Sequence, residues 1–173
     1  HNPEFTQLEF YWAYADYDDL MKFTEQMICE LIQDLYGTTI VVYQGNQYDF
    51  QTPWKRITYR DLLFEHLGLD IDVVKDEKSL KEIVSDKKWI DNVDSLSGYS
   101  YILDMVYKHT IRPNLKGPLF LTDYPADMLP LAKKKDDNPE RIATFQLLVA
   151  GQEFIKAYNE LNLNSKDKLK IHE

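Results

Sequence analysis

Cysteine is nearly missing from this chain: Cys29 is the single one in 173 residues, so no internal disulfide can staple the fold. That fits a reducing compartment, and the cytoplasm is the expected location. Glycine is scarce too. The six glycines stand far apart and form no glycine-rich phosphate loop of the Walker or dinucleotide type. A bound nucleotide would have to be held by a sheet surface and its side chains. Positive charge is in deficit, with Lys+Arg 20 against Asp+Glu 29, a net −9. Such a chain gains little from phosphate neutralisation, which argues against DNA and against tight nucleic-acid binding by this stretch alone. Apolar runs such as LLVA and IVVY fall far short of the roughly 20 residues of a membrane-spanning helix, so no membrane is expected. No secretory signal, repeat or low-complexity segment is present, and neither a Cys/His set with zinc spacing nor a Ser-His-Asp set announces itself.

What is present suffices for a core. Hydrophobic residues make up 44% and aromatics 13%, in a chain the length of one domain or a large part of one. TQLEFYWAYA alternates. Leu8, Phe10, Trp12 and Tyr14 form a core face, while Gln7, Glu9, Tyr11 and the alanines form a polar face suited to a pocket floor. A helix follows from about residue 18. Asp16 or Asp18 can cap it, Gly37 ends it, and Leu20, Met27, Leu31 and Leu35 form its stripe. TTIVVYQGNQYDF reads as a hairpin turning at Gly45-Asn46, and TYRDLLFEHLG as a short capped helix. EKSLKEIVSDKKW and SGYSYILDMVYKHTI read as two further helices. LFLTDYP reads as a strand, MLPLAKKKDDNPE as a polar loop, and RIATFQLLVAGQEFIKAYNEL as a second hairpin turning at Ala150-Gly151. The expected fold is α+β: a largely antiparallel sheet containing residues around 6–15, 118–124 and 143–161, with helices on one face.

One constellation stands out chemically. Glu9 and Tyr11 on one strand, and Tyr158 and Glu160 on another, form a recurring carboxylate-plus-phenol pair. Two converging carboxylates suit a cationic amino group, because a buried ammonium must be paired and hydrogen-bonded. The same residues also read as ordinary solvated strand positions. Cys29 reads as a small core residue rather than a nucleophile.

The opening HNPEFTQLEFYWAYADYDDLM resembles the second half of motif 2 in class II lysyl-tRNA synthetases. YDFQTPWKRITYRDLL, LFLTDYPADMLPLAKKKDDNPE and FQLLVAGQEFIKAYNELN resemble later blocks of that family, in the same order, so the resemblance covers almost the whole chain. AYADY and the later ELN argue for the lysyl enzymes over the related aspartyl and asparaginyl ones. The resemblance implies the class II synthetase sheet and, for the parent protein, ATP-dependent activation of lysine and its transfer to tRNA(Lys), with Mg2+ and a homodimer. Residues 1–173 would be a partial catalytic domain, from within motif 2 to before motif 3, with no anticodon-binding domain. The arginines of motifs 2 and 3 fall outside it, so no catalytic residue lies within the chain and the isolated piece is expected to be inactive.

Residue by residue, the resemblance puts Phe5 on the adenine ring of ATP, His1 near its phosphates and Gln7 beside the nucleotide. Glu9, Tyr11 and Glu160 would receive the ε-ammonium of lysine, with Tyr158 walling its aliphatic stem. Glu153 would hold magnesium. Two positions depart from the family. Gln146 stands where the other magnesium carboxylate belongs, and an amide oxygen can ligate a hard cation without adding charge. Lys156 stands where an Asn contacts substrate and nucleotide; it can meet a phosphate or the substrate carboxylate, or pair with Glu153. Glu153 also has the opposite strand parity to Lys156, Tyr158 and Glu160, which calls for a bulge or twist. Two other functions stay open: a paralogue that lysylates a protein, and a non-catalytic module that binds lysine or a protein partner.

Overall fold

The computed structural model describes residues 4–161. Helix α1 spans Tyr17–Tyr36 and is followed by the hairpin β1 (Ile40–Tyr43) and β2 (Asn46–Asp49). Strand β3 (Lys55–Thr58) leads directly into α2 (Tyr59–Leu67). Then come α3 (Glu77–Lys87) and α4 (Tyr99–Val106), the latter continued by a π-helical turn, Tyr107–Ile111. Strands β4 (Leu119–Thr122), β5 (Thr144–Val149) and β6 (Gln152–Tyr158) complete a four-stranded sheet ordered β3-β4-β5-β6.

The helix limits follow local chemistry. Asp16 accepts from the Asp19 backbone N–H while Asp19 accepts from that of Asp16, a reciprocal capping box, and Gly37 closes α1 in the left-handed region. Thr58 caps α2 by accepting from the Asp61 N–H, and Gly68 closes it in the left-handed region. The first hairpin turns one residue earlier than expected, at Gln44 and Gly45, both with positive φ.

The sheet is buried on both faces. Every residue of β5 is buried, so TFQLLV reads as a continuous run rather than an alternating one. Phe120, Phe145, Leu147 and Val149 pack with Met21 of α1 and with Tyr48, Phe50 and Trp54. Leu119, Leu121 and Leu148 face the other way, into a core built with α2, α3 and α4. The expectation of helices on a single face is therefore corrected. The sheet is largely antiparallel as expected, but β3 pairs parallel to β4, reached through α2, α3 and α4.

Two further corrections concern the start of the described chain. Residues 6–15 form no strand; no strand among the described residues pairs with them, and a turn falls at Ala13-Tyr14. Phe10 and Trp12 rest edge-on against Phe23 of α1, at ring separations of 5.9 and 5.8 Å, while Leu8 and Tyr14 are exposed. On α1 the inward face is Met21, Thr24 and Glu25, with Ile28 and Ile32 partly covered; Leu31 and Leu35 of the expected stripe are exposed. Glu25 is buried because it has partners. It accepts from the Trp54 backbone N–H (2.8 Å) and from Arg56 (3.3 Å).

Candidate active site

The β5–β6 hairpin makes the site. Gln146 lies opposite Lys156 across the ladder, and Thr144 lies opposite Tyr158. Regular alternation would then turn Glu153 to the other face. A bulge prevents this: Leu147 pairs with Ile155 but Leu148 pairs with Glu153, leaving Phe154 as the extra residue. Glu153 thereby joins Gln146 and Lys156 on one face, the re-aiming that the strand parity required.

The hairpin is also held from below. Its turn, Ala150-Gly151, has positive φ at both positions, and its two N–H groups donate to the carbonyls of Lys116 (2.7 Å) and Leu115 (2.8 Å). A Cβ on Gly151 would come within 2.9 Å of the Arg112 carbonyl oxygen, so only glycine permits this approach. The close fit fixes the segment carrying Arg112 beside the strand carrying Glu153.

A cavity of roughly 390 Å³ results between this hairpin and the α4 side of the sheet. Gln146, Glu153 and Lys156 line it from the hairpin; Tyr107, Lys108 and Arg112 line it from the π-helical turn and the residue after it. Its floor is aromatic. Tyr59 stacks at a tilt between Tyr107 and Tyr124, at 5.4 and 4.8 Å. The Tyr124 hydroxyl donates to Gln146 Oε1, and both residues are buried, at 4% and 8% exposure. Burial pushes the hydroxyls of Tyr124 and Tyr107 well above the ordinary tyrosine value, so both stay neutral donors at physiological pH. The Tyr107 hydroxyl is buried without a hydrogen-bond partner. Lys108 is paired with Asp104 at 2.6 Å. Among the described residues Lys156 and Arg112 have no ion-pair partner, and Lys156 is not paired with Glu153, so that alternative is not realised.

A family profile described as tRNA synthetases class II (D, K and N) matches residues 1–173. The chain belongs to this class II synthetase family. It is 39% identical to a lysine–tRNA ligase of Clostridium tetani over 94% of its length, and 40% identical to those of Clostridium acetobutylicum and Porphyromonas gingivalis over the same share. These alignments cover 32%, 32% and 28% of the respective relatives, so the chain spans about a third of their length.

The remaining expected site residues lie elsewhere. Tyr158 is partly buried against the larger core, and Glu160 is exposed, bridged to Ala132 of the segment read as a polar loop. That segment is more ordered than expected: the Lys133 N–H donates to the Asn159 carbonyl at 2.9 Å. Phe5, Gln7, Glu9 and Tyr11 are exposed in the stretch before α1 and line no part of the cavity. His1 lies outside the described residues. Among those residues, no group of three His, Cys, Asp or Glu side chains could hold a metal ion, and no helix is long and apolar enough to cross a membrane. Sequence reasoning missed Tyr107, Tyr124 and Arg112. Neither carried a signal of its own: Arg112 follows the last of the expected helices, and Tyr124 stands near the end of the segment read as a strand.

Proposed function

We propose that this chain is part of the catalytic domain of a cytoplasmic, homodimeric lysine–tRNA ligase, in which lysine and ATP react and the lysyl group passes to tRNA(Lys). The observation that carries this reading is the bulged hairpin, which gathers Glu153, Gln146 and Lys156 on a mixed-charge cavity in a class II synthetase chain. The names of relatives about 40% identical support lysine as the amino acid.

In the activation step the lysine carboxylate attacks the α-phosphorus of ATP, and pyrophosphate leaves. Glu9, Tyr11 and Glu160 would hold the ε-ammonium, with Tyr158 along the stem. Phe5 would stack on adenine, with Gln7 and His1 on the nucleotide. Magnesium, when bound, neutralises charge between the phosphates. It usually keeps several waters and takes only one or two protein carboxylates beside the phosphates, a demand that the single carboxylate of Glu153 fits. Gln146 Oε1 already accepts from Tyr124 and adds no charge, which makes it a weaker second ligand than a carboxylate. Phosphate-neutralising arginines would come from the rest of the protein; without them the 173-residue chain is expected to be inactive alone.

The test is amino-acid-dependent ATP–pyrophosphate exchange by the whole protein. Lysine should support exchange, and aspartate and asparagine should not. Exchange driven by either of those, with none for lysine, would refute the reading.

A further inference from the structure

We propose that this cavity binds phosphate oxygens directly through Lys156, Arg112 and the side-chain N–H2 of Gln146, in place of a second metal ion. The proposal rests on the ATP reading above and assigns the way in which that site holds the phosphates.

The orientation of Gln146 is the first argument. Its carbonyl oxygen accepts from the buried Tyr124 hydroxyl, so the free end of the amide is the donor end. A cation needs oxygens; a donor amide needs an acceptor. Reversing the amide would put its N–H2 against the Tyr124 hydroxyl and remove the acceptor of that hydroxyl. The second argument is charge. Lys156 sits directly across the ladder from Gln146, and Arg112 lines the same cavity from the segment clamped beneath the hairpin turn. Neither has an ion-pair partner among the described residues, although the cavity also carries Glu153 and Asp127. Lys108, by contrast, is neutralised by Asp104. Two uncommitted cations beside a donor amide are complementary to an oxyanion and repel a metal ion. The third is Tyr107, which lines the cavity with a buried hydroxyl that makes no hydrogen bond of its own among the described residues, although the Tyr124 hydroxyl is its neighbour. Glu153 remains the one oxygen ligand on this wall, enough for a single magnesium.

Pyrophosphate is the probe, and its binding to the whole protein is measured by calorimetry with magnesium and again with the metal chelated. Binding should weaken less than tenfold on chelation. Lys156→Gln and Arg112→Gln should each cut metal-free binding roughly ten- to hundredfold, the loss expected for a charged hydrogen bond, with unchanged circular dichroism. Gln146→Glu should abolish metal-free binding and make the remainder magnesium-dependent; should that buried substitution unfold the chain, the exposed Lys156 and half-buried Arg112 variants decide. The proposal is overturned if chelation abolishes wild-type binding, if neither the Lys156 nor the Arg112 variant weakens it, or if pyrophosphate binds under neither condition. Lysine-dependent exchange by the whole protein is read separately. Normal exchange without metal-free binding sinks this proposal alone, and metal-free binding without exchange sinks the activation reading alone.

Discussion

Tyr124 and Tyr107 give a paired test of how the cavity floor is held. Both hydroxyls are buried, but only that of Tyr124 has a partner, the Oε1 of Gln146. Tyr124→Phe removes the donor and leaves a buried carbonyl oxygen unsatisfied, a loss of about 1–3 kcal/mol. For a domain of this size about 1 kcal/mol moves the melting temperature by roughly 2–4 °C, so the variant should melt about 2–12 °C lower. Tyr107→Phe removes a hydroxyl that bonds to nothing, so its melting temperature should stay level or rise. Adding Gln146→Leu to Tyr124→Phe replaces both partners by apolar groups and should recover most of the loss. Thermal melts followed by circular dichroism, with urea midpoints as a check, measure all three. A Tyr124→Phe variant melting with the wild type, or a Tyr107→Phe variant falling as far, would refute the hydrogen-bond assignment.

Gly151→Ala should destabilise the chain by about 1–3 kcal/mol, from positive-φ strain together with the contact on the Arg112 carbonyl, as read from urea midpoints. The Arg60 side chain, hydrogen-bonded to Asp70 at 2.8 Å, holds that carboxyl down at about 2, with help from the Asp72 N–H. A depressed carboxyl contributes stability above its unfolded value near 4 that is lost as pH falls toward 2; Asp70→Asn should flatten this limb of an acid titration. In the whole protein, Glu160→Gln should raise the lysine KM by about one to two powers of ten and leave that of ATP nearly unchanged. Glu153→Gln should do the reverse, weakening use of magnesium-ATP.

Local signals carried the elements well. Asp16, Thr58, Gly37 and Gly68 marked helix ends because caps act within a few residues. The second hairpin was legible at Ala150-Gly151, and the parity conflict at Glu153 announced the bulge. Partner-dependent features were not legible. The alternation in residues 6–15 is strand-like, yet a strand forms only where another strand supplies its hydrogen bonds, and among the described residues none does. The stripe on α1 was misread because two of its three buried residues, Thr24 and Glu25, are polar, with Glu25 held by Trp54 and Arg56, while Leu31 and Leu35 are exposed. The β3–β4 pairing and the second helical layer depend on contacts between residues 55–58 and 119–122, which no local pattern encodes. At the site, hairpin residues were readable as a set. Tyr107, Arg112 and Tyr124 reach the cavity only through packing.

Charging of tRNA tests the central claim most directly. The whole protein is incubated with labelled lysine, ATP, magnesium and unfractionated tRNA, and acid-precipitable label is followed. The account predicts label that is released by ribonuclease and by mild base, as expected of a lysyl ester on tRNA(Lys). Label that resists ribonuclease and stays on protein, or no incorporation beside active lysine-dependent exchange, would contradict it.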